Sequence, residues 1–370
     1  MPQIRFKKPS YQVSKTLAGY LSLTNRATDV PISYNDLLHY NSSIPLFDKN
    51  GNDTFWETLI YGQSDRKFIE ESLRKIYAQL KVDGDTDVID HLYIDRIDYC
   101  LYANTHPLRI RIVNRLNDLF DYFYVKKADM SRIYGMEIEH LLSPNKINYL
   151  VKGSTMIEEH IQGVPGDLFI KDFIPRQDYN PLRIAKEFVK FNERSLVQLL
   201  GDMRNDNFVV EVIPDFDEMY FRLRTIDFDQ HCYEGDVKIY MPQYFRENNP
   251  IINLGFKSMS PVLEMQYQKE ERTRLLTRVK AASGQLEALL NSMRGETLSK
   301  EENILMLRAG LAELYEDDLF LQANTMGDLV TISMKMLEIY PVRKRPLLKP
   351  KPAKLRFTSS SPEAMGTQTN

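Results

Sequence analysis

The sequence predicts an α+β fold in two parts, a strand-rich lobe and a mainly helical lobe, behind an extra N-terminal segment. Three observations predict it. Between about Asp87 and His160, short Ile-, Tyr- and Leu-rich runs alternate with turn residues, as β-strands do. A helical pattern interrupts these runs after the third, which gives five strands with one inserted helix. From Pro181 onward the apolar residues recur at helical intervals instead. The 370 residues fit about two to three structural units and can bury roughly three quarters of their unfolded surface. Apolar residues make up 43% and charged residues 27%, which excludes wholesale disorder.

Residues 1–86 form the extra segment. Ser42-Ser43, Asp48 and Asn50-Gly51-Asn52-Asp53 read as loops. Ser64–Leu80 sets Phe68, Leu73, Ile76, Tyr77 and Leu80 at helical spacing, and Lys81-Val82-Asp83-Gly84-Asp85 ends the helix. The segment carries no chemistry of its own and reads as a docking or covering element. Trp56 within it reads as a local core residue.

The strand lobe spans 87–162. Leu92–Tyr102 and Leu108–Val113 flank the turn-like Ala103–Pro107, and Tyr122–Lys127 is the third strand. Ser131 caps a helix to about Leu142, where Ser143-Pro144-Asn145 stops it. Ile147–Val151 and Thr155–Ile161 are two more strands, joined at Lys152-Gly153-Ser154.

The helical lobe spans 163–342. Pro181–Leu200 is a helix with Ile184, Phe188, Val189, Phe191, Leu196 and Leu199 as its apolar positions. Phe208–Ile213 and Met219–Ile226 form a hairpin about Pro214-Asp215-Phe216-Asp217. Helices follow near 261–281, 285–294, 300–315 and 327–340. Ser299-Lys300-Glu301-Glu302 has capping-box spacing, and Met326, Met334 and Met336 are suited to packing helices.

Residues 343–370 are a basic tail that reads as disordered. Seven of the 48 basic residues but only one of the 51 acidic residues follow Pro341, so the body carries an excess of nine acids. Such a body is a poor match for nucleic acid. The tail suits an acidic partner or a phosphate-rich surface, or is simply a solvated terminus. Two cysteines, Cys100 and Cys232, exclude a disulfide framework and a four-cysteine zinc site. The six histidines lack metal-ligand spacing, and His231-Cys232 reads as an ordinary loop pair. No basic n-region with an apolar core opens the chain, and no apolar run reaches about eighteen residues. A soluble, cytoplasmic protein is expected.

The chemistry lies between Leu200 and Asp229. A helix delivers the polar loop Gly201-Asp202-Met203-Arg204-Asn205-Asp206-Asn207, and a hairpin then returns the chain to Asp227-Phe228-Asp229. This order brings Asp202, Asn207 and Asp227 together. A carboxylate and an amide oxygen are hard ligands of the kind magnesium takes alongside water and nucleotide phosphates. A second carboxylate, off the metal, can accept a hydroxyl proton. Phosphoryl transfer needs these parts, because positioning and charge neutralisation are most of the enzyme's work. Singly, Asp202 and Asp206 could be turn caps and Asp227 a strand end; the combination carries the signal.

Asp202 through Asn207 resembles the D-x-x-x-x-N catalytic loop of the protein-kinase-like superfamily, particularly its aminoglycoside and choline kinase branch and HipA-like kinases. Asp227-Phe228-Asp229 resembles the metal motif of the same family. Glu159-His160-Ile161-Gln162-Gly163 is similar to its hinge, which hydrogen-bonds adenine through backbone groups. Tyr124-Val125-Lys126-Lys127 and the 131–142 helix resemble its third-strand lysine and glutamate-bearing helix. The resemblance implies a bilobal kinase-like fold with a five-stranded N-lobe, binding ATP and Mg2+. It implies Asp202 as base, Asn207 and Asp227 on metal, Glu159 and Ile161 at the hinge, and an ion pair between a β-strand lysine and a helical glutamate.

Helical phase favours Glu137 over Glu139, since Ile133, Met136, Glu137, His140 and Leu141 share a face. The family pattern favours Lys126, whereas strand alternation favours Lys127 beside Phe123 and Val125. Arg204 either stabilises transferring phosphoryl oxygens or is a surface arginine paired with Asp206. The chain departs from the family at Leu200, at Asp229 and at Ala103–Pro107, which holds no glycine-rich turn. The expected activity is γ-phosphoryl transfer from ATP to a hydroxyl acceptor, small molecules being favoured. The rivals are a pseudokinase that binds nucleotide or protein, and a kinase acting on polypeptides.

Overall fold

The computed structural model describes residues 8–81, 89–103, 105–176, 178–216 and 218–341. The basic tail, the turn after Lys81, and Asn104 and Asp217 of two predicted turns lie outside them. The chain is α+β. A seven-stranded antiparallel sheet runs in the order β1-β2-β3-β4-β5-β7-β6, and a three-stranded sheet in the order β10-β9-β8. The large sheet comprises β1 (Ser42–Phe47), β2 (Asp53–Ile60), β3 (Leu92–Cys100), β4 (Leu108–Asn114), β5 (Phe120–Lys127), β6 (Tyr149–Lys152) and β7 (Thr155–Glu159). The small one comprises β8 (Val164–Pro165), β9 (Phe208–Asp215) and β10 (Glu218–Thr225).

The expected five strands are therefore seven, because the loop-like stretch 42–53 belongs to a hairpin. Its turn chemistry is real: Asp48 accepts from the backbone N–H groups of Asn50 and Asn52, and Gly51 takes φ of 80°. Turn residues at that density mask the flanking strands. β1 also contains Pro45 and is exposed along much of its length, as an edge strand with one free side tolerates. β2 then pairs with β3 through Trp56–Cys100, Glu57–Tyr99 and Thr58–Asp98.

Helix α1 (Lys15–Leu23), capped by Ser14, has no counterpart in the sequence pattern, nor has α6 (Asn249–Ser258). α2 (Gln63–Lys81) lies across the sheet's outer face. Ile69, Leu73, Ile76 and Leu80 join Ile94, Ile97, Ile110, Phe123 and Val125 in one buried cluster. The segment before residue 86 thus supplies two strands and the covering helix of the same sheet. α3 (Met130–Leu142) is capped two residues earlier than expected, by Asp129 rather than Ser131, the Asp129 carboxylate accepting from the Arg132 N–H.

The second cluster joins α1 and α3 to the helical half. That half contains a single turn α4 (Gly166–Leu168), α5 (Pro181–Gln198), α7 (Pro261–Ala281), α8 (Ser283–Arg294), α9 (Glu301–Tyr315) and α10 (Met326–Ile339). The capping box expected at 299–302 does not form: Ser299 donates to the Tyr233 carbonyl, and Lys300 occupies the cap position. A capping box forms instead at Thr325 and Asp328, where both reciprocal bonds are made.

Because α2 closes one core rather than decorating it, truncating its inner face should be costly. Ile76 has no exposed surface. Ile76→Ala should lower the denaturant-derived stability by about 2–5 kcal/mol, the range for a large-to-small core change. A loss under about 0.5 kcal/mol would mean that the helix is only loosely docked.

Candidate active site

Strand alternation divides the large sheet into two functional faces. Phe123 and Val125 enter the core beneath α2, so Tyr124 and Lys126 point the other way, into a cleft between the two sheets. The cleft encloses about 480 Å3, within the usual range for small-molecule sites. Lys126, Glu158, Ile161, Asp206, Ile226 and Phe228 are among its lining residues. Lys127 is exposed at the strand end, with its amine 5.8 Å from the centre of the Tyr34 ring. Strand alternation thus buries Lys126, opposite to the phase read from Phe123 and Val125 alone, because those two residues face α2.

The expected Lys126–Glu137 pair is not formed. Lys126 pairs with Glu158, which stands on the adjacent strand β7 opposite Tyr124, and both side chains are nearly buried. Glu137 faces away from the cleft and accepts from Tyr149 Oη at 2.6 Å, Tyr20 Oη at 3.0 Å and Gln285 Nε2 at 3.1 Å. Arg26 Nε stands 3.3 Å from it. Glu139 accepts from Gln198 Nε2 at 2.9 Å. Helical phase misassigned Glu137 because α3 is buried on nearly all sides, so an apolar face does not single out the side toward the strands.

Met136 is the α3 residue that lines the cleft; beside it, α3 supplies Arg132 to the carboxylates of Glu158, Asp227 and Asp229, a role absent from the sequence reading. The Arg132 guanidinium lies 2.7 Å from Asp229, 2.9 Å from Asp227 and 3.4 Å from Glu158. Burial opposes its charge, but these three carboxylates raise its pKa and keep it protonated. Its sequence signal was weak: a lone arginine in the first turn of an apolar helix. Glu158 was legible only through alternation, as the polar residue opposite Ile157 on β7.

The loop after α5 brings Asp202 and Asn207 together and joins them to the end of β10. Leu199 (φ 51°) ends α5, and Asp202 itself adopts φ of 61°. That conformation is uncommon outside glycine and clusters at functional turns. The loop backbone is held by Gln230 and Ile239 carbonyls, which accept from Gly201 and Asp202, and by Asn248 Nδ2 on the Met203 carbonyl. A Cβ at Gly201 would fall 2.8 Å from the Gln230 carbonyl oxygen, so glycine is required there. Asn207 Nδ2 donates to the Asp202 carbonyl at 2.7 Å and to its carboxylate at 3.2 Å, while the Asn207 carbonyl accepts from the Ile226 N–H at 3.1 Å. These bonds stitch Asp202, Asn207 and the approach to Asp227 together.

Arg204 is engaged with Asp202 rather than free toward the cleft. Its Nε lies 2.9 Å from Oδ1 and a terminal nitrogen donates to Oδ2 at 3.1 Å, whereas Asp206 is 3.8 Å away. Burial pushes the Asp202 carboxyl up to about 7, with Arg204 opposing the rise and Asp227 adding to it. Asp227 is also raised, by burial and by Asp229 beside it, with Arg132 opposing. The Asp229 carboxyl is lowered: burial opposes its ionisation, but Arg132, Lys126 and Lys8 outweigh it.

At the end of β7 and just beyond it, Glu159 and Ile161 line the cleft. The Glu159 carboxylate is turned to Lys81 Nζ at 3.1 Å and to the Asn148 N–H at 2.9 Å. Gly163 takes φ of 154°, and a Cβ there would meet Val209 at 2.9 Å. His231 and Cys232 are wholly buried, 3.5 Å apart through Nε2 and Sγ, and burial holds the imidazole down to about 3 and the thiol well above its usual value. They form part of the core beside Gly135.

Among the described residues no three His, Cys, Asp or Glu side chains form a metal-ligand group. Asp227 Oδ1 is taken by Arg132 and by the Asp229 N–H. The remaining oxygen of Asp227 and the amide oxygen of Asn207 suit an ion that keeps several waters and completes its shell with phosphates. Formal charge favours such an ion, since Glu158, Asp227 and Asp229 outnumber Lys126 and Arg132. No family model matches the chain, and no curated protein matches it.

The raised Asp202 carboxyl has a signed consequence for stability. A carboxyl that binds its proton more tightly when folded than the ordinary value of about 3.9 stabilises the fold at low pH and loses that contribution as pH rises through about 7. Arg204, Asp206 and Asp227 are the charges around it. The melting temperature of Asp202→Asn, relative to wild type, should therefore increase between pH 5 and pH 8. A difference that stays constant over this range would show that Asp202 ionises like an exposed carboxyl.

Proposed function

We propose that the protein is a kinase-like phosphotransferase that moves the γ-phosphoryl group of ATP to a hydroxyl acceptor, with small molecules favoured. The observation that carries the proposal is Asp202, a nearly buried carboxylate in a left-handed loop position, tied to Asn207 and next in space to Asp227. Asp202 takes the acceptor proton as the hydroxyl oxygen bonds to phosphorus and the bond to ADP breaks. A base whose pKa lies near 7 suits that work at neutral pH. Arg204 positions Asp202 and keeps it from rising further. Asn207 and Asp227 are the residues that would hold magnesium, which when bound would neutralise phosphate charge. Lys126, held by Glu158, is the cation available to nucleotide phosphates, and Ile161 borders the space for the base.

A second reading has its own observation. Arg132 grips Asp227 and Asp229 together, and the turn before β4 holds no glycine-rich phosphate cradle. Both features suit a pseudokinase that binds nucleotide without transferring phosphate.

Radiolabelled transfer from ATP, run against hydroxyl compounds and against the protein itself, separates the readings. Asp202→Asn should reduce turnover by roughly 10²–10⁴ while nucleotide affinity stays within a few-fold. Wild-type activity should rise with pH through about 7 as Asp202 loses its proton. Nucleotide binding without transfer in any mixture would favour the second reading.

Binding has its own test. Mg-ATP at a hundred times its Kd should stabilise the fold by ~2.7 kcal/mol. That melting shift should require magnesium and vanish in Asp227→Ala. An unchanged shift in the variant would remove Asp227 from the metal role.

A further inference from the structure

The N-terminal hairpin reaches the cleft. β2 pairs with β3 so that Trp56 stands opposite Cys100, whose N–H donates to the Pro107 carbonyl at 3.1 Å. The next residue, Leu108, pairs with Val125, which directly precedes Lys126. Trp56 and Lys126 therefore belong to one row across the sheet, on the face turned from α2. The indole lines the same cleft as Lys126, Glu158 and Ile161, where a sequence reading expected a local core residue.

The indole is also fixed in place. The Arg109 guanidinium lies 4.3 Å from its ring centre and is itself held 2.8 Å from Asp98, whose side chain has no exposed surface. Tyr102 meets the indole nearly at right angles, at 6.4 Å. A ring held from two sides loses little freedom when a ligand arrives, and rigid aromatic walls give binding sites much of their affinity. Asp98 is shared with Arg96, 3.0 Å away, so it offsets the Arg109 charge only in part, and the wall combines the flat indole with residual positive charge. That chemistry fits a planar ring, while Lys126 in the same row fits the phosphates attached to it.

We propose that Trp56 is a ligand-binding residue: the β1–β2 hairpin forms the outer wall of the cleft, and the indole contacts the ring of a bound nucleotide. The inference rests on the nucleotide-binding reading above. It adds a contact from a part of the chain outside every motif of the catalytic loop, hinge and metal segment.

Trp56 is the chain's single tryptophan, so the intrinsic emission of the full-length protein reports this position alone. The probe is Mg-ADP, titrated while emission, melting temperature and calorimetric heat are recorded. Emission should change saturably, with the midpoint given by calorimetry. Trp56→Ala should raise the Kd about tenfold or more, and Trp56→Phe, which keeps a ring, should stay within about threefold. If Trp56→Ala fails to fold, the wild-type emission and Trp56→Phe still decide. A clear melting shift with flat emission and a Trp56→Ala Kd within twofold of wild type would remove Trp56 from the site and leave the nucleotide reading intact. Flat emission with neither heat nor melting shift in the wild type would overturn both.

Discussion

Arg132 is the residue on which the arrangement of the cleft turns. Its side chain is almost wholly buried, and it bridges Glu158 on β7, Asp227 and Asp229 after β10, and its own helix α3. A buried guanidinium is costly unless carboxylates surround it, and removing one partner of such a pair is typically destabilising by 3–5 kcal/mol. The reverse holds for the carboxylates, which crowd one another and need a cation. This mutual requirement fixes the distance between the large sheet, α3 and the segment after β10. Lys126 depends on it indirectly, because Glu158 serves both cations.

The same network explains why the site differs from the pairing expected from the sequence. A strand lysine and a helical carboxylate were expected to pair. Instead the strands supply both lysine and glutamate, and the helix supplies an arginine. Glu137 is committed elsewhere, to two tyrosine hydroxyls, a glutamine and Arg26. Its four partners lie in α1, β6, α8 and the loop after α1, so the residue joins the N-terminal helix to the body. Identity of residue type and rough position was therefore legible, but not which partner each charge would find.

The loop of residues 201–207 was the most legible part. Asp202, Asn207 and Asp227 are close because a helix end, a hairpin and a strand end follow one another with short connections, and such local order survives folding. The hairpin β9–β10 forms as expected but turns more tightly, since Pro214 and Asp215 of the expected turn pair with Met219 and Glu218. The leading hairpin β1–β2 was not legible, because edge strands need no alternating apolar face and its turn residues dominate the local pattern. Helix α1 was hidden for a related reason: nine residues give too few turns for periodicity to stand out.

By itself the sequence determined the α+β character, the order of the longer strands and helices from β3 onward apart from α6, the absence of long apolar runs and the sequence neighbourhood of Asp202, Asn207 and Asp227. These follow from periodicity, turn chemistry and chain order, which act over a few residues. Only the tertiary structure decided that the sheet has seven strands, that Lys126 rather than Lys127 enters the cleft, that Lys126 pairs with Glu158 beside Arg132 rather than with Glu137, and that Trp56 joins the wall. Each of these depends on which face of an element meets which neighbour. A strand with polar residues on both faces, or a helix buried on all sides, gives no local sign of that choice; burial energy and charge pairing across distant segments make it.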